Sequence, residues 1–127
     1  MYKILVVDDE PEIVKLLEAF LTKSGFEVIT ALGGEKAMEM LQSDIKADLM
    51  VMDMKMPRIT GADILREMKR INKRIPVIIL SGSLDPKAYC EQIKTIGSSD
   101  IEYLMKPVDL NNLLAAVKKI QNQTPKT

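Results

Sequence analysis

Short apolar runs alternate along the chain with longer stretches in which apolar residues recur every three or four positions. A short apolar run bounded by polar or turn residues is typical of a buried strand, and the longer spacing is typical of an amphipathic helix. The predicted strands are Ile4–Val7, Phe26–Ile29, Asp48–Met52, Pro76–Leu80 and Ile101–Met105. The predicted helices run from Pro11 to before Gly25, and over Glu35–Ser43, Ala62–Ile71, Pro86–Ile96 and Leu110–Ile120.

Regular alternation of strands and helices predicts a parallel sheet covered by helices on both faces. The nearly continuous apolar character of the strands agrees, because such strands are buried on both sides. We therefore predict an α/β fold with a doubly wound five-stranded parallel sheet and five helices. For the strand order we expect 2-1-3-4-5, one of the common orders of such a sheet.

Four predicted strands are followed by polar residues: Asp8 and Asp9, Asp53, Ser81 and Lys106. Ligands of an open α/β sheet bind at the carboxyl ends of its strands. Carboxylates gathered there repel one another unless a cation or a pKa shift compensates. Mg²⁺ prefers such oxygen ligands, and a lysine ammonium can hold a phosphate oxygen. The pattern predicts a site for a hard cation and a phosphoryl group.

Each of these residues also has a structural explanation when it is taken alone. Asp9 could be the N-cap of the first helix, and Asp53 could begin a loop. Ser81 could cap a helix or close a hydroxyl turn, and Lys106 could be a solvated lysine. Their combination at neighbouring strand ends favours the functional interpretation.

Size and composition limit the alternatives. The 127 residues fit one domain, and equal numbers of acidic and basic residues argue against non-specific nucleic-acid or membrane binding. The lack of histidine excludes histidine catalysis and a histidine phosphodonor. The single Cys90 excludes an intrachain disulfide and fits a reducing compartment. Because no signal or membrane-spanning stretch is visible, we expect a cytoplasmic protein. We expect the domain to cover residues 1–121 and a polar tail to cover 122–127.

Four motifs resemble the receiver domain of two-component response regulators, the family of the single-domain chemotaxis regulator. They are Val-Val-Asp-Asp-Glu ending at Glu10, Asp-Met-Lys-Met-Pro ending at Pro57 and followed four residues later by Gly61, Leu80–Gly82, and Tyr103–Pro107. The resemblance covers essentially the whole chain. Any one motif would be weak evidence, whereas the four in this order and spacing are specific.

The resemblance implies the flavodoxin-like receiver fold and a set of roles at the acidic pocket. Asp53 corresponds to the phosphoacceptor. Asp8 and Asp9 correspond to the Mg²⁺-binding acids, with Asp9 as the direct ligand. Asp53 and the backbone carbonyl of Lys55 complete the expected metal ligands.

Further roles follow from the same resemblance. Ser81 is expected to hydrogen-bond the phosphoryl group, and Lys106 to pair with it. Ser81 and Tyr103 correspond to the switch residues, and the bond between Lys106 and Pro107 is expected to be cis. The segment Gly97–Tyr103 is longer than is usual in the family, which puts partner identity in doubt but not the chemistry.

The implied function is phosphoryl transfer from the phosphohistidine of a sensor histidine kinase or a histidine phosphotransfer protein to Asp53. The domain would catalyse only its own phosphorylation and dephosphorylation. A downstream protein would bind the face formed by the fourth predicted helix, the fifth strand and the fifth predicted helix. We expect no direct nucleic-acid contact, no membrane insertion, and a monomer or a weak phosphorylation-dependent dimer.

Two other functions stay open at the level of sequence. One is a receiver-fold binding module that is not phosphorylated; the presence of all five pocket residues argues against it. The other is a phosphatase of the haloacid dehalogenase type, which also uses an aspartate nucleophile after a strand. The motif of that class is Asp-x-Asp, and in this chain Lys55 occupies the position of the second acid.

Overall fold

The computed structural model of the protein describes residues 1–82 and 101–123. Its strands are β1 (Lys3–Asp8), β2 (Glu27–Leu32), β3 (Leu49–Asp53), β4 (Val77–Ser81) and β5 (Ile101–Met105). Its helices are α1 (Pro11–Lys23), α2 (Gly34–Leu41), α3 (Gly61–Arg70) and α4 (Leu110–Gln123). The last of these is the fifth predicted helix. The fourth predicted helix, Pro86–Ile96, and Cys90 within it lie outside the described residues.

The five strands form one parallel sheet in the order β2-β1-β3-β4-β5, which confirms the predicted fold class and strand order. The order reverses between β1 and β3, because the chain first moves outward to β2 and then returns to the other side of β1. A crevice for ligands opens at the carboxyl ends of the strands at such a reversal.

Two apolar layers cover the sheet. Alternate strand residues such as Leu5 and Met52 pack with α2 and α3 on one face. Their neighbours, such as Val6 and Val51, pack with α1 and α4 on the other face. All residues of β3 and β4 are buried, which explains why both strands are apolar up to their last residues, Asp53 and Ser81. Within the described ranges, no helix is long and apolar enough to cross a bilayer.

Several element bounds differ from the sequence interpretation by one to three residues, and the largest differences are at the ends of β2 and α4. β2 continues three residues beyond the predicted Ile29, because β1 extends through Asp8, which pairs with Leu32. The N-cap of α1 is Glu10 rather than Asp9, and no side chain caps this helix end. Pro11 occupies the first turn as predicted, where its missing N–H leaves no helical hydrogen bond unmade.

The ends of two helices bear on other predictions. Gly25 follows the C-cap of α1 with a φ of 99°, the left-handed conformation expected of a helix-terminating glycine. α4 ends at Gln123, so the first two residues of the predicted polar tail are helical. The proposed domain range 1–121 stays a prediction.

Candidate functional site

Strand register brings the acidic strand ends together. Val7 of β1 lies opposite Met52 of β3, so the following residues, Asp8 and Asp53, end neighbouring strands side by side. Asp8 is fully buried and Asp53 is 5% exposed. Buried carboxylates need a counter-charge or a proton, because burial without either is costly.

Lys106 supplies that counter-charge. Its Nζ lies 3.2 Å from Asp8 Oδ2 and 3.3 Å from Asp53 Oδ2, and its side chain is only 21% exposed. The backbone N–H of Lys106 donates to the Ser81 carbonyl at 2.8 Å, which holds the chain after β5 against the end of β4. The ammonium therefore bridges two carboxylates that come from different strands.

The ionisation of the pair follows from this geometry. Burial raises the pKa of Asp53, and the nearby Asp8 carboxylate raises it further; Lys106 opposes both effects without cancelling them. Burial by itself lowers the pKa of Lys106, but the Asp53 and Asp8 carboxylates outweigh it and hold that pKa above its ordinary value. Lys106 therefore stays protonated, beside an Asp53 carboxyl group whose ionised form is disfavoured.

Asp8 also belongs to a cluster of three consecutive acids at the end of β1. One carboxylate oxygen from each of Asp8, Asp9 and Glu10 can be chosen so that all three lie within 4.8 Å of one another. Asp9 is half-buried and Glu10 is exposed. The backbone N–H of Glu10 donates to Asp8 Oδ1 at 3.0 Å, which orients the buried carboxylate. Glu10 was not among the predicted site residues, although a third consecutive acid after the first strand was a signal for it.

The loop after β3 packs closely on the site. The backbone N–H of Lys55 donates to Asp53 Oδ1 at 3.3 Å, and Gly61 N–H donates to the Met54 carbonyl at 3.0 Å. A Cβ on Gly61 would lie 2.8 Å from Met54 Sδ and 3.1 Å from the Asp53 carbonyl oxygen. Only glycine lets the first turn of α3 approach the end of β3 this closely.

The remaining predicted site residues lie on the β4–β5 side. Ser81 ends β4 and is 8% exposed. Tyr103 is half-buried on β5, opposite Ile79, and packs against the apolar layer beneath α2 and α3. The peptide bond between Lys106 and Pro107 is cis.

The fold and the site together define a class: a doubly wound α/β protein with an acidic, lysine-bridged pocket at the carboxyl edge of its sheet. Residues 4–118 match the family model described as "Response regulator receiver domain". The chain belongs to this family, and the resemblance seen in its motifs is confirmed.

Known proteins agree over nearly the whole chain. The response regulator SaeR of Staphylococcus aureus is 35% identical, covering 97% of this chain and 55% of the relative. The chain therefore spans about half the length of the curated relatives it matches. A response regulator receiver domain protein from Clostridium thermocellum is 36% identical with a TM-score of 0.83, covering 97% of this chain and 96% of that one.

A third relative carries a ligand in its description. The response regulator TrrA of Thermotoga maritima, solved in complex with Mg²⁺-BeF, is 32% identical with a TM-score of 0.78, covering 94% of this chain and 99% of that one. Together these matches identify this chain as a receiver domain of response regulators, a phosphoacceptor module of two-component signalling.

Proposed function

We propose that Asp53 accepts a phosphoryl group from the phosphohistidine of a sensor histidine kinase or a histidine phosphotransfer protein. The observation that carries this proposal is the placement of Asp53 at the carboxyl end of β3, 3.3 Å from the Lys106 ammonium and beside the buried Asp8. A carboxylate is a known covalent acceptor in such transfers. The receiver family supplies the donor class.

We further propose that Asp8, Asp9, Asp53 and the Lys55 carbonyl hold Mg²⁺. Their donor atoms are all hard oxygens, and Asp8 and Asp9 already belong to one compact acidic group. When bound, Mg²⁺ neutralises negative charge on the phosphoryl oxygens and on the acids. The Mg²⁺-BeF complex of TrrA supports this assignment by similarity.

The chain's own residues align and neutralise the reacting groups. A carboxylate oxygen of Asp53 forms a bond to phosphorus while the phosphorus–nitrogen bond of the donor breaks, and the imidazole leaves with the electron pair. Lys106 pairs with the phosphoryl oxygens, and the Ser81 hydroxyl donates a hydrogen bond to one of them. Hydrolysis of the acyl phosphate restores Asp53, so the domain catalyses only its own phosphorylation and dephosphorylation.

The output follows from the added charge. We infer that Ser81 moves toward the phosphoryl group and that Tyr103 then turns inward. The face of β5, α4 and the fourth predicted helix would thereby change its affinity for a downstream protein, as a local charge event biases a two-state element. The module would act in the cytoplasm as a monomer or as a weak phosphorylation-dependent dimer.

The test is the intact mass of the protein after incubation with acetyl phosphate and Mg²⁺. The wild type should gain one phosphoryl group, and a chelator should prevent the gain. Asp53→Asn should gain none, whereas Asp44→Asn, at an exposed position, should behave as the wild type. A folded wild type that gains nothing would contradict the proposal and favour a binding module that keeps the pocket without the reaction.

A further inference from the structure

The first residue of α2 lies against the loop between β3 and α3. A Cβ built on Gly34 would lie 2.9 Å from the Cβ of Ile59 and closer still to the Ile59 carbonyl oxygen. Ile59 is itself held in a tight turn, since its N–H donates to the Pro57 carbonyl at 2.7 Å. The atoms in the way are backbone or attached directly to it, so any side chain at position 34 has to displace the loop.

A second contact joins the same two segments. Arg58 Nη1 lies 2.9 Å from Glu35 Oε1, and both side chains are exposed. Arg58 has a φ of 68°, a left-handed conformation that a residue with a side chain rarely adopts. The loop therefore keeps an unfavourable backbone conformation at the residue that pairs with α2.

The turn between β2 and α2 also reaches the end of β1. The N–H of Gly33 donates to the Asp8 carbonyl at 2.8 Å. The turn thus contacts both segments that carry the acids: the end of β1 directly, and the loop after Asp53 through Ile59. Lys55 lies within that loop, four residues before Ile59.

We propose that Gly34 is a positioning residue for the metal site, because its missing side chain lets the loop after β3 place the Lys55 carbonyl within reach of a cation held by Asp8 and Asp53. The inference rests on the proposed function and adds a residue on another element to it. Closely packed segments transmit a forced displacement rather than absorb it. Residues behind the ligands of a metal site commonly alter its affinity about 10–100-fold when they are replaced.

The experiment is calorimetric titration of Mg²⁺ into metal-free wild type, Gly34→Ala and Gly25→Ala, with thermal melts of all three. Gly25 is the matched control: its φ is 99°, so alanine strains the backbone there, but a Cβ would meet nothing within 4 Å. Both variants should melt below the wild type. Only Gly34→Ala should bind Mg²⁺ more weakly, by about 10-fold or more.

A readout without metal accompanies the titration. In the metal-free proteins, Gly34→Ala should shift the backbone amide signals of Lys55 and Ile59, and Gly25→Ala should leave them in place. If Gly34→Ala fails to fold, the Mg²⁺ affinity of Arg58→Ala tests the proposal instead. Loss of a positive charge does not by itself weaken the binding of a cation, so weaker Mg²⁺ binding in this variant reports a loosened loop.

The outcomes separate the two proposals. Wild-type affinity and unshifted amides in a folded Gly34→Ala would overturn the positioning role while leaving the phosphoacceptor function intact. Unchanged or tighter binding in Arg58→Ala would overturn it where Gly34→Ala does not fold. A wild type that binds no Mg²⁺ would overturn the proposed metal site and this inference together.

Discussion

Lys106 is the residue that makes two buried carboxylates tolerable at one edge of the sheet. Its ammonium contacts both Asp8 and Asp53, and little solvent reaches any of the three groups. A buried ion pair is not in itself strongly stabilising, but removal of one partner leaves an uncompensated charge, which is costly. The electrostatics of the pocket therefore depend on a residue at the opposite end of the chain from Asp8.

Lys106→Met should destabilise the metal-free protein. It keeps most of the apolar stem while removing the charge that offsets Asp8 and Asp53, so the free energy of unfolding should fall by about 1–3 kcal/mol at neutral pH. Lys119→Met is the matched control, because Lys119 pairs with Glu102 while 57% exposed and should cost less than about 1 kcal/mol. Urea denaturation compares them, and equal losses would mean that Lys106 carries no special electrostatic role.

Asp53→Asn should stabilise the metal-free protein at neutral pH. The raised pKa of Asp53 means that the native state retains this proton to higher pH than the unfolded chain. Wild-type stability therefore falls as pH rises through that interval, and the asparagine variant escapes the fall. Its advantage should be complete above the native pKa and should vanish below about pH 4, the ordinary aspartate range.

Thermal melts across this pH range test whether Asp53→Asn is more stable than the wild type, with Asp44→Asn as the exposed control. A metal-free Asp53→Asn variant that melts at or below the wild-type temperature at neutral pH would show that repulsion and burial do not strain this carboxylate. Excess Mg²⁺ should reverse the order of the melting temperatures, because only the wild type keeps the Asp53 carboxylate that we propose as a ligand of the cation.

At the scale of the element, the beginning of α3 determines how the loop after Asp53 ends. Thr60 is the N-cap, and its hydroxyl accepts from the N–H of Asp63 at 3.2 Å. The Asp63 carboxylate accepts in return from the N–H of Thr60 at 3.0 Å. This capping box satisfies two backbone donors at the helix start, next to the close approach of Gly61 to β3.

Thr60→Ala should lower the free energy of unfolding by about 0.5–2 kcal/mol, since the N–H of Asp63 loses its acceptor. Thr22→Ala is the control, because Thr22 is exposed within α1 and should change stability by less than about 0.5 kcal/mol. Chemical denaturation measures both. Equal stability of the two variants would show that the capping box contributes nothing measurable to the domain.

At the scale of the whole molecule, stability resides in two apolar layers on either side of one sheet. Residues adjacent in sequence can differ completely in their contribution, because a helix buries only one stripe of its surface. On α1, Leu17 is fully buried against the sheet, whereas Leu16 is 46% exposed. Identical side chains thus occupy opposite environments one residue apart.

Leu17→Ala should lower the free energy of unfolding by about 2–5 kcal/mol, the range for a cavity in a packed core. Leu16→Ala should cost no more than about 0.5 kcal/mol, as for most surface substitutions. Urea denaturation with a common slope for both variants provides the comparison. Similar losses from the two substitutions would contradict the packing of α1 described above.

The ends of β1 and β3 were predictable because their apolar runs stop abruptly at charged residues. Asp8 and Asp53 could be placed side by side from strand order alone, since parallel strands end at the same edge of a sheet. The full length of β2 was missed, and Glu10 was not predicted as a member of the acidic group at the end of β1. The alternation that marks a half-exposed edge strand is weak in Thr30–Leu32, and only its pairing with β1 identifies the extension.

By itself, the sequence determined the fold class and the residues at the carboxyl edge, because periodicity and polar strand ends are local signals. The strand order 2-1-3-4-5 was correctly predicted as a common order of such sheets, and the strand pairing confirms it. Only the tertiary structure decided that Lys106 bridges both carboxylates and that Gly34 lies against Ile59. Both are contacts between segments far apart in the chain. Their distances depend on how the loops pack in three dimensions, which no local pattern encodes.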